Sequence, residues 1–224
     1  MMQALVFDFD GLIIDSETPE YESWQELYQA HGTSLPFELW VTLIGVSTAD
    51  SPLDLYDYLE NQIHQPVDRA LIRAQRRARF GELFDQQPVL PGVLDYLAEA
   101  RRLNLKLAVA SSGTSDWVKG NLERLGLMDW FEAVCCAEDV PRSKPDPALY
   151  DLALRRLGVS SSRAIALEDS PNGLFAAKSA GLYAVAVPNA MTCTLNFDHA
   201  DLRLTSLADL PLTALLEQAN SGRI

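Results

Sequence analysis

Two aspartates lie two positions apart in the segment LVFDFDGLIIDSE, residues 5–17. The run LVF and Phe9 are typical of a buried strand, whereas Asp8 and Asp10 are not. Alternate residues of a strand point the same way, so both carboxylates are expected to face one site just beyond the strand. Two carboxylates in different environments can divide nucleophilic and acid/base work. In phosphoryl transfer, Asp8 would attack phosphorus and carry a covalent aspartyl-phosphate, and Asp10 would protonate the leaving alcohol and later deprotonate water.

More polar residues stand where the other predicted strands end, the edge at which an open parallel sheet binds its ligands. Those residues are Ser111 and Ser112 after LKLAVA, Lys144 in SKPDP, and Glu168, Asp169 and Ser170 after AIAL. Taken singly, each has a structural interpretation. The serines are suited to capping the next helix, and a lysine before a proline is most often a solvated surface residue.

Taken together, the same residues predict a magnesium-dependent phosphate site. Carboxylates placed directly after apolar strands need compensation, because an unpaired buried charge is very costly. Mg²⁺ suits oxygen ligands and leaves room for water and phosphate. We expect Ser111 and the backbone N–H of Ser112 to bind the phosphoryl oxygens, and Lys144 to supply a positive charge.

The elements that must position these residues alternate between short apolar strands and amphipathic helices after about residue 88. This alternation predicts an α/β fold with a parallel sheet covered on both faces. Between Pro19 and Phe84 the patterns are helical, and little there is typical of a strand. The first strand therefore has to join the later ones. We predict a catalytic core of residues 1–15 and 89–224, with residues 16–88 inserted as a helical domain.

Four motifs in this order resemble those of the haloacid dehalogenase superfamily, in its phosphatase and β-phosphoglucomutase-like branch: DFDGLIIDSE, AVASSG, SKPDP and ALEDSPNG. The resemblance implies a Rossmann-like core with a helical cap inserted after the first motif. It also implies that Asp8 is the nucleophile and Asp10 the acid/base. The metal ligands would be the Asp8 side chain, the Asp10 backbone carbonyl and Asp169, with Glu168 at or next to the metal. Dehalogenases lack the second aspartate, so Asp10 argues against that chemistry.

Three classes of function fit these motifs: a phosphatase, a phosphosugar mutase and a receiver-like module that only accepts phosphate. The β-phosphoglucomutases carry a histidine and an arginine in the cap where this chain has Glu20 and Thr48. Both departures favour the phosphatase, acting on a sugar or polyol phosphate, with Glu17 bonding a substrate hydroxyl. A receiver would need neither a large insertion nor Asp10.

The composition excludes other partners. The chain has 224 residues and a formal net charge of −13, from 31 acidic and 18 basic residues. That charge repels phosphate backbones and anionic membranes, so we expect neither a nucleic-acid nor a membrane partner. The three cysteines are too few for a disulfide framework, and a leader or membrane segment is not evident. We expect a cytoplasmic monomer that binds a small phosphorylated metabolite.

Overall fold

The computed structural model describes residues 1–44 and 53–221. They form two compact units, Met1–Ile14 with Val89–Ile224, called the core unit, and Asp15–Pro88, called the helical unit. Ile14 closes the core segment, because it pairs with Asp10 and with Val89 in isolated β-bridges. Asp15 belongs to the helical unit. Its Oδ1 accepts a hydrogen bond from the Thr18 backbone N–H, in the first helix of that unit, at 2.9 Å.

The core unit contains a parallel sheet in which β1 lies between β2 and β4. Its strands within the described residues are β1 (Ala4–Phe7), β2 (Lys106–Ala110), β3 (Ala133–Cys135), β4 (Ala164–Glu168), β5 (Tyr183–Ala186) and β6 (Leu202–Arg203). They follow the order β3-β2-β1-β4-β5-β6. Ala4 pairs with Lys106 on one side and with Ala164 on the other. This sheet confirms the predicted α/β, Rossmann-like fold.

Helices cover the sheet because its strands are apolar on both faces. The helices of the core unit are α5 (Val93–Arg102), α6 (Ser115–Arg124), α7 (Ala148–Leu157), α8 (Pro171–Ser179) and α9 (Leu212–Ser221). Alternate residues of β1, Ala4 and Val6, share one buried cluster with α7 and α8. Many residues of this cluster are alanines, whose small side chains let the helices approach the sheet closely.

The helical unit is built from α1 (Glu17–Ala30), α2 (Phe37–Val41), α3 (Leu55–Ile63) and α4 (Arg69–Phe84). Asp54 and Asp68 cap α3 and α4 by accepting hydrogen bonds from first-turn N–H groups. Trp24 and Tyr28 are buried in this unit. Among the described residues of both units, none of the helices is long and apolar enough to span a membrane.

Candidate active site

The predicted nucleophile, Asp8, follows β1 and is buried. Its backbone N–H donates to the Leu167 carbonyl at 3.0 Å, so its main chain continues the pairing with β4. The chain then turns, and Gly11 adopts a φ of +77°. A Cβ at Gly11 would lie 2.1 Å from Oδ2 of Asp169. Glycine at this position therefore lets the first loop pass directly against the carboxylate that follows β4.

Lys144 lies inside the site, not on the surface. Its Nζ is 2.7 Å from Asp8 Oδ1 and 2.6 Å from Glu168 Oε1, and its side chain is only 6% exposed. Burial by itself lowers the pKa of Lys144, but the charges of the two carboxylates outweigh it and raise that pKa above its ordinary value. The ammonium therefore stays protonated and joins the ends of two neighbouring strands.

Glu168 is fully buried and is held on several sides. The Tyr150 hydroxyl donates to its Oε1, and the Ser170 hydroxyl donates to its Oε2 at 3.3 Å. Burial, reinforced by the Asp8 charge, raises the pKa of Glu168 to about 7, against the opposing effect of Lys144. A Cβ at Gly173 would lie 2.0 Å from both carboxylate oxygens, so the first turn of α8 packs directly on this group.

Asp169 is buried next to Glu168 and is bound by Asn189, a residue of the loop after β5. Asn189 Nδ2 donates to Asp169 Oδ2 at 2.8 Å and to the Gly11 carbonyl at 3.1 Å. The Asn189 Oδ1 accepts from the backbone N–H groups of Met191 and Thr192, which fixes the orientation of the amide. One side chain thereby links the loops after β1, β4 and β5.

The acidic residues form a cluster that suits a hard divalent cation. One carboxylate oxygen each from Asp8, Glu168 and Asp169 lie within 4.8 Å of one another, and all three residues are buried. Lys144 brings one positive charge to these three carboxylates. The oxygen donors and the excess negative charge both fit Mg²⁺. This cluster consists of side-chain oxygens, so coordination by the Asp10 backbone carbonyl stays a prediction.

The serines of the second motif follow β2, the strand beside β1. Ser111 is buried, and its hydroxyl accepts a hydrogen bond from the Gly113 N–H at 2.9 Å. Its own N–H donates to the Cys135 carbonyl of β3. Ser112 is exposed. Phosphate binding by these two residues stays a prediction.

The residues predicted to contact the substrate from the insertion belong to the helical unit. Glu17 is the first residue of α1. Glu20 accepts a hydrogen bond from Arg76, whose guanidinium also lies 4.6 Å from the centre of the Trp24 ring. Arg76 is therefore packed within the helical unit, with its side chain only 12% exposed. Thr48 lies outside the described residues.

Three residues of the site escaped the sequence analysis: Tyr150, Asn189 and Trp117. Trp117 Nε1 donates to Asp10 Oδ1 at 2.9 Å. Asn189 follows a predicted strand. It could have been predicted, as Asp169 was, because polar residues after the strands of an open parallel sheet lie at its ligand-binding edge. Tyr150 and Trp117 lie within helices, where their spacing is typical of ordinary core residues.

Known proteins resemble this chain in sequence and in fold. A family model described as haloacid dehalogenase-like hydrolase matches residues 5–187. YhcW of Bacillus subtilis (strain 168) is 45% identical over 221 residues, covering 99% of both chains. Hexitol phosphatase B of Escherichia coli (strain K12) is 31% identical, covering 95% of this chain and 96% of its own. The crystal structure of CbbY from Rhodobacter sphaeroides in complex with phosphate is 32% identical, with a TM-score of 0.72, and covers 94% and 96% of the two chains.

Proposed function

Because the chain belongs to the haloacid dehalogenase-like hydrolases, we propose that it is a Mg²⁺-dependent phosphatase of a small phosphorylated metabolite, a sugar or polyol phosphate. The observation that carries the proposal is the buried group at the end of β1, where Lys144 joins Asp8 to Glu168 beside Asp169. Such a group combines a carboxylate able to attack phosphorus with the positive charge that an anionic substrate requires.

The reaction proceeds in two steps at Asp8. A carboxylate oxygen of Asp8 forms a bond to phosphorus while the bond from phosphorus to the leaving alcohol oxygen breaks, and Asp10 gives its proton to that oxygen. Asp10 then takes a proton from water, whose oxygen attacks the aspartyl-phosphate. Inorganic phosphate leaves, and the Asp8 carboxylate is regenerated. Ser111, the N–H of Ser112 and Lys144 bind the phosphoryl oxygens during both steps.

Mg²⁺ would be held by the side chains of Asp8 and Asp169 and the backbone carbonyl of Asp10, with Glu168 at or next to it. When bound, the ion neutralises charge so that an anionic carboxylate can approach an anionic phosphate. Lys144 serves the same electrostatic purpose from the protein side, because it remains protonated between Asp8 and Glu168.

The substrate class is supported by the relatives and by the chemistry of the first motif. One relative is named a hexitol phosphatase. Glu17, at the start of α1, can accept a hydrogen bond from a hydroxyl of a sugar or polyol. We therefore assign the helical unit the role of a cap that selects the leaving group. The net charge of −13 supports a small metabolite as the partner, and neither a nucleic acid nor a membrane. We propose that the protein is a cytoplasmic monomer.

A phosphate-release screen tests the proposal. The purified protein is incubated with sugar, polyol and other phosphomonoesters at fixed Mg²⁺, with and without an added sugar bisphosphate. We expect phosphate release without the bisphosphate. Isomerised sugar phosphate that appears only with the bisphosphate, and with little phosphate released, would instead identify a mutase.

Asp8→Asn is the matched test of the covalent step, with the exposed Asp198→Asn as control. The first variant should fold but lose turnover, because it removes the nucleophile with little change in volume. The control should keep wild-type activity. Phosphate release at the wild-type rate by a folded Asp8→Asn protein would exclude the aspartyl-phosphate.

A further inference from the structure

Trp117 donates a hydrogen bond to the residue proposed as acid/base. The indole Nε1 lies 2.9 Å from Asp10 Oδ1, and both residues belong to the core unit. An indole N–H can only donate, and it has one hydrogen to give. It therefore binds best to a carboxyl oxygen that carries no proton. The contact distinguishes the two oxygens of Asp10.

The position of the indole is fixed by the start of α6. The Trp117 backbone N–H donates to the Thr114 hydroxyl at 3.3 Å, which caps the helix. The N–H of Ser115, two residues earlier, donates to the Glu138 carboxylate at 2.9 Å. Two separate side chains thus hold the first turn of α6 in place.

Gly113 allows the indole to approach the loop after β2. A Cβ at this position would lie 3.0 Å from Trp117 Cδ1 and 3.2 Å from the Ser111 hydroxyl oxygen. Any side chain at Gly113 would press on the indole and on Ser111 at once. The indole is therefore packed against the same loop that carries the predicted phosphate-binding serines.

From these contacts we propose that Trp117 is a positioning residue for the proton transfer by Asp10. The hydrogen bond at Oδ1 fixes the plane of the carboxyl group and leaves the proton on Oδ2, which then faces the leaving oxygen in a single orientation. Loss of the indole donor removes this constraint on the carboxyl group, so its proton is less well placed for the leaving oxygen. This inference rests on the proposed function, because it assigns Trp117 a part in that reaction.

The proposal makes the need for Trp117 depend on the leaving group. An alkyl phosphate expels a strongly basic alkoxide, which must be protonated as it leaves. A nitrophenolate is a weak base and leaves without a proton. Loss of the indole N–H should therefore slow formation of the aspartyl-phosphate from alkyl phosphates and spare its formation from p-nitrophenyl phosphate. A loss of general structural integrity would slow both.

The experiment compares Trp117→Phe with Trp130→Phe, a control in the same unit whose ring packs on Arg101 at 3.7 Å. For Trp117→Phe we expect kcat/KM, which reports formation of the aspartyl-phosphate, to fall by about tenfold to a hundredfold on an alkyl phosphate, because correctly placed acid catalysis contributes about 10²–10⁴-fold. On p-nitrophenyl phosphate the change should stay within about threefold. Trp130→Phe should resemble the wild type on both substrates.

A second replacement covers the case in which Trp117→Phe folds poorly. Incorporation of 3-benzothienylalanine at position 117 keeps the shape of the indole and puts sulfur in place of N–H, and it should show the same dependence on the leaving group. Adding Trp117→Phe to Asp10→Asn should have no further effect on alkyl phosphates. An equal loss of activity on both substrate types, or no loss, would overturn the role of Trp117. Phosphate release by the wild type would still support the proposed function in that case.

Discussion

Lys144 and Asp8 form a buried ion pair at the end of the central strand. The Lys144 Nζ lies 2.7 Å from Asp8 Oδ1, and the two side chains are 6% and 9% exposed. Glu168 shares the same ammonium on its other side. The positive charge is therefore part of the folded core as well as of the proposed phosphate site, and its removal should affect both stability and turnover.

Lys144→Met should abolish phosphate release from every substrate, because it removes the positive charge proposed to bind the phosphoryl group. It should also lower the free energy of unfolding by about 3–5 kcal/mol in metal-free buffer, because it leaves buried carboxylates uncompensated. Urea denaturation measures the second effect. Lys178→Met removes a partly exposed pair with Asp201 and should cost less than about 1 kcal/mol. Equal losses in the two variants would contradict a buried electrostatic role for Lys144.

Glu168→Gln should change how stability depends on pH in the metal-free protein. The folded-state pKa of Glu168 is raised to about 7 from 4.5, so its contribution is fully present below pH 4.5 and is lost as the pH rises through about 7. Relative to Glu168→Gln, the wild type should lose roughly 3 kcal/mol between those limits. Denaturation at several pH values in EDTA measures this difference. The exposed Glu123→Gln should follow the wild type, and parallel curves for all three proteins would refute the raised pKa.

Asn189→Ala should weaken Mg²⁺ binding by about tenfold or more, because loss of a partner that orients a metal ligand typically costs 10–100-fold. The Asn189 amide holds Asp169 Oδ2 and the Gly11 carbonyl together. Calorimetric titration of the substrate-free protein with Mg²⁺ gives the affinity directly. Asn196→Ala, which removes an exposed contact with Asp198, is the control and should leave the affinity unchanged.

Glu17→Gln should redistribute rates among sugar phosphates by about tenfold in kcat/KM, the worth of one hydrogen bond to a substrate hydroxyl. The same variant should alter p-nitrophenyl phosphate much less. Ser111→Ala should instead lower the rates on all substrates alike, because Ser111 is proposed to bind the phosphoryl group that they share. A matrix of both variants against several substrates compares these patterns. If Glu17→Gln lowered all rates uniformly, the helical unit would not be the specificity element.

The positions of Asp8, Glu168 and Asp169 could be predicted from the sequence because the polar ends of parallel strands must meet at one edge of the sheet. The buried cluster of these three residues confirms that expectation. The motif identified Lys144 as a site residue. Its burial could not be predicted, because a loop residue has no periodicity that shows which way its side chain points.

The supporting contacts could not be predicted, because they depend on tertiary distances. Whether the hydroxyl of Tyr150 reaches Glu168 is decided by how α7 lies on the sheet. Trp117 differs from other helical tryptophans only by the position of α6 relative to the first loop. Arg76 of α4 likewise pairs with Glu20 of α1, although the two residues are far apart in the sequence. Helical spacing alone describes none of these pairings.

The central place of β1 in the sheet has a consequence for biosynthesis. Ala4 is synthesised well before Ala164 of β4, which is one of its two neighbours in the sheet. At roughly 5–20 residues per second, many seconds pass before that neighbour is made. The helical unit, a continuous segment from Asp15 to Pro88, is complete long before then. The apolar strand ALVF therefore lacks its final partners during that interval, in which transiently exposed apolar surface favours aggregation.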